Sequence, residues 1–182
     1  EKGVFDIGDV ADGICKKLIY RHPHIFGSVE VGSSEEILRN WDELKRKEKH
    51  QETDTSALES VAKSLPGLIR AEKLQKKAAK VGFDWENAQG ALEKVEEELG
   101  EVKQAMAGSG DPEEEIGDLL FAAVNVARHL KVDPEGAMEK TCNKFIRRFA
   151  DMEQQAKEEN KVLSDLPLAE LDALWNRSKE KE

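Results

Sequence analysis

The sequence predicts an all-α fold, and three observations carry that expectation. Alanine, leucine, glutamate and lysine abound, prolines number five and aromatics make up only 5% of residues, a bias toward helix and against strand. Leu92, Val95, Leu99, Val102 and Met106 recur at intervals of 3, 4, 3 and 4, which places them on one helix face. Asp111-Pro112 and Asp133-Pro134 each pair a capping side chain with a proline at the first helical position, the signature of a helix start.

Each expected element has its own signal. Asp6 or Asp9 opens a helix to about residue 20, stopped by Arg21-His22-Pro23-His24-Ile25-Phe26-Gly27. Ser33-Ser34-Glu35-Glu36 caps a helix to about residue 49 and puts acidic groups in its first turn. Residues 50–60 are polar and aperiodic and read as a linker, and Leu65-Pro66-Gly67 breaks the chain again. A helix follows over about 68–80, ended by Gly82. Asp84 or Asn87 caps the next, which runs to Met106 with its apolar stripe expected in the core. Gly108-Ser109-Gly110 makes a turn into a helix to about residue 130; two more run from Asp133 to about 158 and from about 168 onward. This gives a partial helical unit over 1–50, a linker over 51–64 and a complete helical unit over 65–182.

Charge and cysteine usage exclude several functions. A net charge of −10 offers no basic stripe for nucleic acid. An acidic chain that binds a polyphosphate needs a divalent cation between the two sets of charge. No apolar run approaches the roughly 18 residues that a membrane span requires. Cys15 and Cys142 are too few for a disulfide framework and fit a reduced, cytoplasmic setting, with both thiols expected half-buried. The opening Glu1-Lys2-Gly3, with no Met and no signal peptide, reads as the interior of a longer protein.

The chain also repeats itself. Cys15-Lys16-Lys17-Leu18-Ile19-Tyr20-Arg21 matches Cys142-Asn143-Lys144-Phe145-Ile146-Arg147-Arg148 at four of seven positions. Asp6 and Asp133 lie nine residues upstream of each copy, and Trp41 with Lys45 echoes Trp175 with Lys179 downstream. A duplicated unit follows, of which only the second copy is preceded by two acidic helices.

Those acidic helices carry the chemistry. Glu98 and Glu101 are three apart on one helix, and Glu115 and Asp118 are three apart on the next, so each pair shares a face. Both pairs border apolar stripes, and a short turn lets them converge. Like charges about 4 Å apart at an effective dielectric constant near 20 cost about 4 kcal/mol per pair. A cluster of this kind is tolerated when a hard divalent cation binds it, Mg²⁺, Mn²⁺ or Ca²⁺ rather than Zn²⁺, and Mg²⁺ commonly binds phosphate oxygens beside a few carboxylates. Glu97 leans toward the same edge, and Asn125 continues it. Lys144 and Arg148, four apart, are suited to a phosphate tail, Arg148 through its planar fork. Trp175 either covers a base or packs in the core, Lys179 either reaches a phosphate or frays at the helix end, and Trp85 either staples its helix or joins a base pocket. His22 and His24 have no accompanying ligand cluster and read as turn packing.

Glu97-Glu98-Leu99-Gly100-Glu101 followed by Glu115-Ile116-Gly117-Asp118 is similar to the EExxE…ExxD signature of the MazG-type nucleoside triphosphate pyrophosphohydrolases. Arg70-Ala71-Glu72-Lys73-Leu74-Gln75-Lys76, Val81-Gly82-Phe83-Asp84-Trp85 and Gly117-Asp118-Leu119-Leu120-Phe121 match the same family, and Arg21-His22-Pro23-His24-Ile25-Phe26 resembles a segment of its full-length members. The resemblance implies a four-helix-bundle domain behind a partial repeat. It implies broad hydrolysis of ribo- and deoxyribonucleoside triphosphates to monophosphate and pyrophosphate. Metal ligands carry over to Glu98, Glu101, Glu115 and Asp118, and substrate contacts to Lys144, Arg148, Trp175, Lys179 and Lys45. Cys142 departs from the Asn of some relatives. The expected catalytic carboxylates are Glu97, Glu98 and Glu101, the expected partner a second copy of the chain. The rivals are a narrower dUTP or phosphoribosyl-ATP pyrophosphatase and a non-catalytic helical metal-binding or dimerisation module.

Overall fold

Helix caps set the framework of this chain, as the computed structural model shows for residues 5–49 and 51–181. His50, where the expected linker begins, and the outer limits at residues 1 and 182 lie outside the described residues. Among the described residues all regular structure is helical, and no helix is long and apolar enough to cross a membrane.

Helix α1 (Ile7–Arg21) begins at a reciprocal capping box in which both expected candidates act: the Asp9 amide donates to Asp6 Oδ1 at 2.9 Å and the Asp6 amide to Asp9 Oδ2 at 2.8 Å. The expected stop follows, but Pro23 then starts a single turn, α2 (Pro23–Phe26). Helix α3 (Ser34–Glu48) is capped by Ser33. The aperiodic stretch after it contains α4 (Asp54–Glu59), a turn and a half fixed by a Thr53–Ser56 capping box. A segment that short has no visible period, so only its cap announces it. Helices α5 (Gly67–Ala79), α6 (Ala88–Met106), α7 (Pro112–His129), α8 (Pro134–Glu158) and α9 (Leu168–Glu180) complete the chain, with a 3₁₀ turn at Leu163–Asp165. Asn87 caps α6, Asp111 caps α7 and Asp133 caps α8.

The chain forms two compact units, residues 1–62 with 77–82, and residues 63–76 with 83–182. In the first, α1 packs on α3. Arg21, 8% exposed, binds Glu48 at 2.6 Å, and Lys80 binds Asp42 at 2.5 Å. The outer face of α1, with Ile7, Val10, Ile14 and Leu18, stays exposed.

In the second unit α6 and α7 form a tight hairpin, and α8 packs on α9. The hairpin turn needs glycine, because Gly108 and Gly110 hold φ of +92° and +118°. The line of α6 that turns inward is Ala91, Glu98 and Ala105, seven residues apart and all buried. The leucine stripe expected in the core is therefore displaced: Leu92 and Leu99 are 42% and 44% exposed and Met106 80%. Small alanines let α7 come close along their own line and leave the larger residues one position on at the edge. Ile116, Leu120, Phe121, Phe145, Ile146 and Phe149 are likewise exposed on α7 and α8. The α8–α9 core is Met152, Ala156 and Leu174, joined by Leu163, Leu166, Leu171 and Trp175.

Leu174 is 2% exposed at the centre of that core. Its replacement by alanine removes buried methyl groups and leaves a void, with an expected cost of about 3 kcal/mol. Urea unfolding followed by circular dichroism checks this; a loss below about 1 kcal/mol would contradict the packing.

Candidate active site

The inward line of α6 sets the site. Glu98 lies on it between two alanines, and its carboxylate is carried into the hairpin, 4% exposed. Lys94, one turn back, binds Glu98 Oε1 at 2.6 Å and Glu97 Oε1 at 2.8 Å. Glu98 Oε2 is buried with no hydrogen-bond partner, a condition that costs free energy unless a proton or a cation supplies what is missing.

Glu101, one turn on, and Glu115 from α7 complete a group: one oxygen of each of Glu98, Glu101 and Glu115 lies within 4.8 Å of the others. Glu115 reaches the group over the hairpin turn. A Cβ on Gly110 would stand 3.3 Å from Glu115 Oε1, so the turn glycine keeps room for this carboxylate.

The charges respond to this crowding. The adjacent Glu98 carboxylate, and more weakly burial and the charge of Glu115, push the Glu101 carboxyl above the usual range. The Lys94 ammonium holds Glu98 below it despite burial. Two ligands of one Mg²⁺ at about 2.1 Å each stand about 3 Å apart when adjacent and about 4.2 Å when opposite. The three oxygens need only a small closure to meet that, all are hard donors, and one lacks a partner. The residues present fit a divalent cation.

The other expected residues are distributed as follows. Asp118 is exposed on α7 and stands outside the 4.8 Å group. Glu97 is exposed at the outer edge of the cluster, held by Lys94. Asn125 is engaged elsewhere, its Oδ1 accepting from Arg128 Nε at 3.0 Å and Nη2 at 2.7 Å. Trp85 lies against the first turn of α6, where a Cβ on Gly90 would meet its ring at 2.9 Å, and it is 46% exposed. Lys144 and Arg148 are half-buried on α8. The Arg148 guanidinium lies 5.7 Å from the centre of the Trp175 ring, which packs on Phe145 and the α8–α9 core. Lys179 is exposed near the end of α9. Lys45 belongs to the first unit, 4.6 Å over the Trp41 ring. The carboxylates and the Lys144–Arg148–Trp175 group thus stand on separate helix pairs, with only slight packing of α7 on α8. Cys15 and Cys142, expected half-buried, are both exposed.

Two features escaped the sequence reading. Lys94 stands three and four residues before Glu97 and Glu98, the spacing of helical ion pairs, and that signal was available. Asp84 does not cap α6; it accepts a bidentate grip from Arg128 on α7, and His129 Nε2 lies 3.2 Å away. That grip holds the Asp84 carboxyl below its usual range. No local pattern marks a contact 44 residues apart.

Residues 86–152 match the family model described as the MazG nucleotide pyrophosphohydrolase domain. The chain is 40% identical over 186 residues to the nucleoside triphosphate pyrophosphohydrolase of Escherichia coli (strain K12), covering 100% of this chain and 71% of that protein. It is 42% identical over 182 residues to the nucleoside triphosphate pyrophosphohydrolase/pyrophosphatase MazG of Thermotoga maritima, covering 98% and 68%. It is 47% identical over 187 residues to YabN of Bacillus subtilis, an uncharacterized protein of which it spans 38%.

The raised Glu101 carboxyl sets a pH test of the metal-free protein. A folded-state value above the unfolded one favours folding below the ordinary carboxylate range and loses that advantage as pH rises through the raised value. Glu101→Gln removes the loss, so metal-free Glu101→Gln melts higher than the parent at pH 8 and the gap closes toward pH 4. Differential scanning calorimetry in EDTA reads this; a parent that melts higher at pH 8 contradicts the carboxylate crowding.

Proposed function

The chain belongs to the MazG family of nucleotide pyrophosphohydrolases, and from that membership we propose that it hydrolyses nucleoside triphosphates to monophosphate and pyrophosphate, with Mg²⁺ at Glu98, Glu101 and Glu115. The observation that carries the reading is the convergence of these three carboxylates around a buried oxygen without a partner. Asp118, three residues after Glu115 on the same face of α7, is the proposed fourth ligand. Mn²⁺ suits the same oxygen donors.

When bound, the cation offsets the charge of the triphosphate and polarises the α-phosphorus toward attack. The protein groups do the rest. A water adds to the α-phosphorus, the α–β anhydride bond breaks, and pyrophosphate leaves. Glu97 or Glu101 accepts the water's proton; both stand within a turn of Glu98. Lys94 fixes Glu97 and Glu98 relative to each other. Lys144 and Arg148 hold the phosphate tail, and Trp175 steadies the Arg148 guanidinium from beneath. Trp85 offers a ring face to a base. A ring face does not read base edges, which favours broad substrate range over selectivity for dUTP or phosphoribosyl-ATP.

The exposed stripes of α6, α7 and α8 support a homodimer in which a second copy covers Leu92, Leu99, Ile116, Leu120 and Phe121. The two exposed thiols fit a reducing, cytoplasmic setting.

With dATP and Mg²⁺, pyrophosphate is the expected product, EDTA abolishes turnover, and Glu98→Gln or Glu101→Gln lowers kcat by about a hundredfold or more. Release of orthophosphate, or unchanged turnover in both variants, refutes the mechanism; a panel of nucleotides measures the range. Leu92→Glu places a charge in the proposed dimer stripe. Sedimentation equilibrium is expected to shift from dimer to monomer, and a parent chain that is already monomeric removes the dimer reading.

A further inference from the structure

Gly90 stands in the first turn of α6, where alanine would favour the helix more. Its missing side chain has a local reason. A Cβ there would meet Cε3 of the Trp85 ring at 2.9 Å and Cδ2 at 3.4 Å. The ring therefore rests directly on the helix, while Trp85 stays 46% exposed. A tryptophan seated in this way offers an open aromatic surface that is supported from beneath.

The backbone leading into the ring is held as well. The Trp85 amide donates to Asp84 Oδ1 at 2.9 Å. Arg128 on α7 grips the same carboxylate, Nη1 at 3.0 Å from Oδ2 and Nη2 on Oδ1. Asn125 Oδ1 accepts from Arg128 Nε at 3.0 Å and from Nη2 at 2.7 Å, which sets the plane of the guanidinium. His129 Nε2 lies 3.2 Å from Asp84 Oδ1. Asp84 is thus the joint between α7 and Trp85, and Arg128 acts on the ring through it. All of these residues lie within the second unit.

The ring also stands in line with the carboxylates. Gly90, Lys94, Glu97 and Glu101 fall on a strip of α6 about 60° wide, with Glu98 at its edge. Gly90 precedes Glu98 by eight residues, about 12 Å of helix. Side chains on a helix lean toward its N-terminus, so the carboxylates reach back toward Gly90. An extended nucleoside triphosphate laid on this strip spans from the ring to the carboxylate group, base at one end and phosphates at the other.

We propose that Trp85 is the base-stacking element of the site, and that Gly90 and the Asp84–Arg128–Asn125 clamp are positioning residues that hold its ring in line with the carboxylates. The inference rests on the reading of Glu98, Glu101 and Glu115 as the metal–triphosphate end. Every nucleobase has an aromatic face, so the contact adds affinity for any base and none for a phosphate chain alone.

Isothermal titration of the full chain with Mg²⁺ tests this, using the α,β-methylene analogue of dATP and inorganic tripolyphosphate as probes. Trp85→Ala, Gly90→Ala and Arg128→Gln are each expected to weaken the analogue about tenfold, the loss of one base–aromatic stack, and to leave tripolyphosphate within about twofold of the parent. Trp85→Phe keeps a ring face and should stay within about threefold for both probes. In protein labelled with 5-fluorotryptophan, the Trp85 fluorine resonance is identified by its loss in Trp85→Phe. It should shift with the analogue, stay in place with tripolyphosphate, and start from an altered position in Gly90→Ala and Arg128→Gln. Gly90→Ala raises helix propensity, so it carries the test if Arg128→Gln does not fold. Equal weakening of both probes in Gly90→Ala overturns the proposal, as does unchanged analogue binding in Trp85→Ala. A parent that binds neither probe refutes the metal–triphosphate reading and this proposal with it; a parent that binds both and is indifferent to Trp85→Ala refutes this proposal alone.

Discussion

The buried carboxylate of Glu98 is the constraint on which the larger unit depends. A helix that turns a glutamate inward between Ala91 and Ala105 must supply that group with compensating charge, because an isolated ionised carboxylate in a packed hairpin is unfavourable by several kcal/mol. Lys94 satisfies one oxygen and leaves the other open. The remaining demand is directed at the space that Glu101 and Glu115 border.

The same constraint explains the placement of apolar residues. Alanine on either side of Glu98 brings α7 close enough for Glu115 to cross the turn, and Gly110 leaves room for its carboxylate. Close approach along the alanine line rotates Leu92, Leu99 and Met106 outward. Core and interface in α6 are thus neighbouring stripes of one helix, one built of small residues and the other of large ones. Arg128 on Asp84 ties the end of the hairpin away from the carboxylate group.

How much of this was legible in the sequence depends on range. Caps are local, and Ser33, Asp111 and Asp133 could be read directly, with Asp6 and Asn87 each one of two candidates, since each side chain acts on an amide two or three residues away. The three-apart carboxylate pairs were legible for the same reason, and Glu98, Glu101 and Glu115 do come together. Burial was read less well. Period alone marks a stripe of Leu92, Leu99 and Met106 but does not say which of two adjacent stripes meets the partner helix; residue size decides that, and it decided for alanine. Asp118 shares a helix face with Glu115 yet stands outside the group, because a shared face does not fix how far each side chain reaches. The Asp84–Arg128 grip could not be read at all, since it depends on tertiary packing.

One contact recurs in both units, an arginine guanidinium against a tryptophan ring. The arginine-on-tryptophan contact is formed within a single helix pair, α1 with α3 or α8 with α9, and needs nothing from the acidic hairpin. Among the described residues the carboxylate group, by contrast, lies where α6 and α7 converge. Within the second unit the carboxylates and the arginine–tryptophan contact thus stand on separate helix pairs, α6 with α7 and α8 with α9.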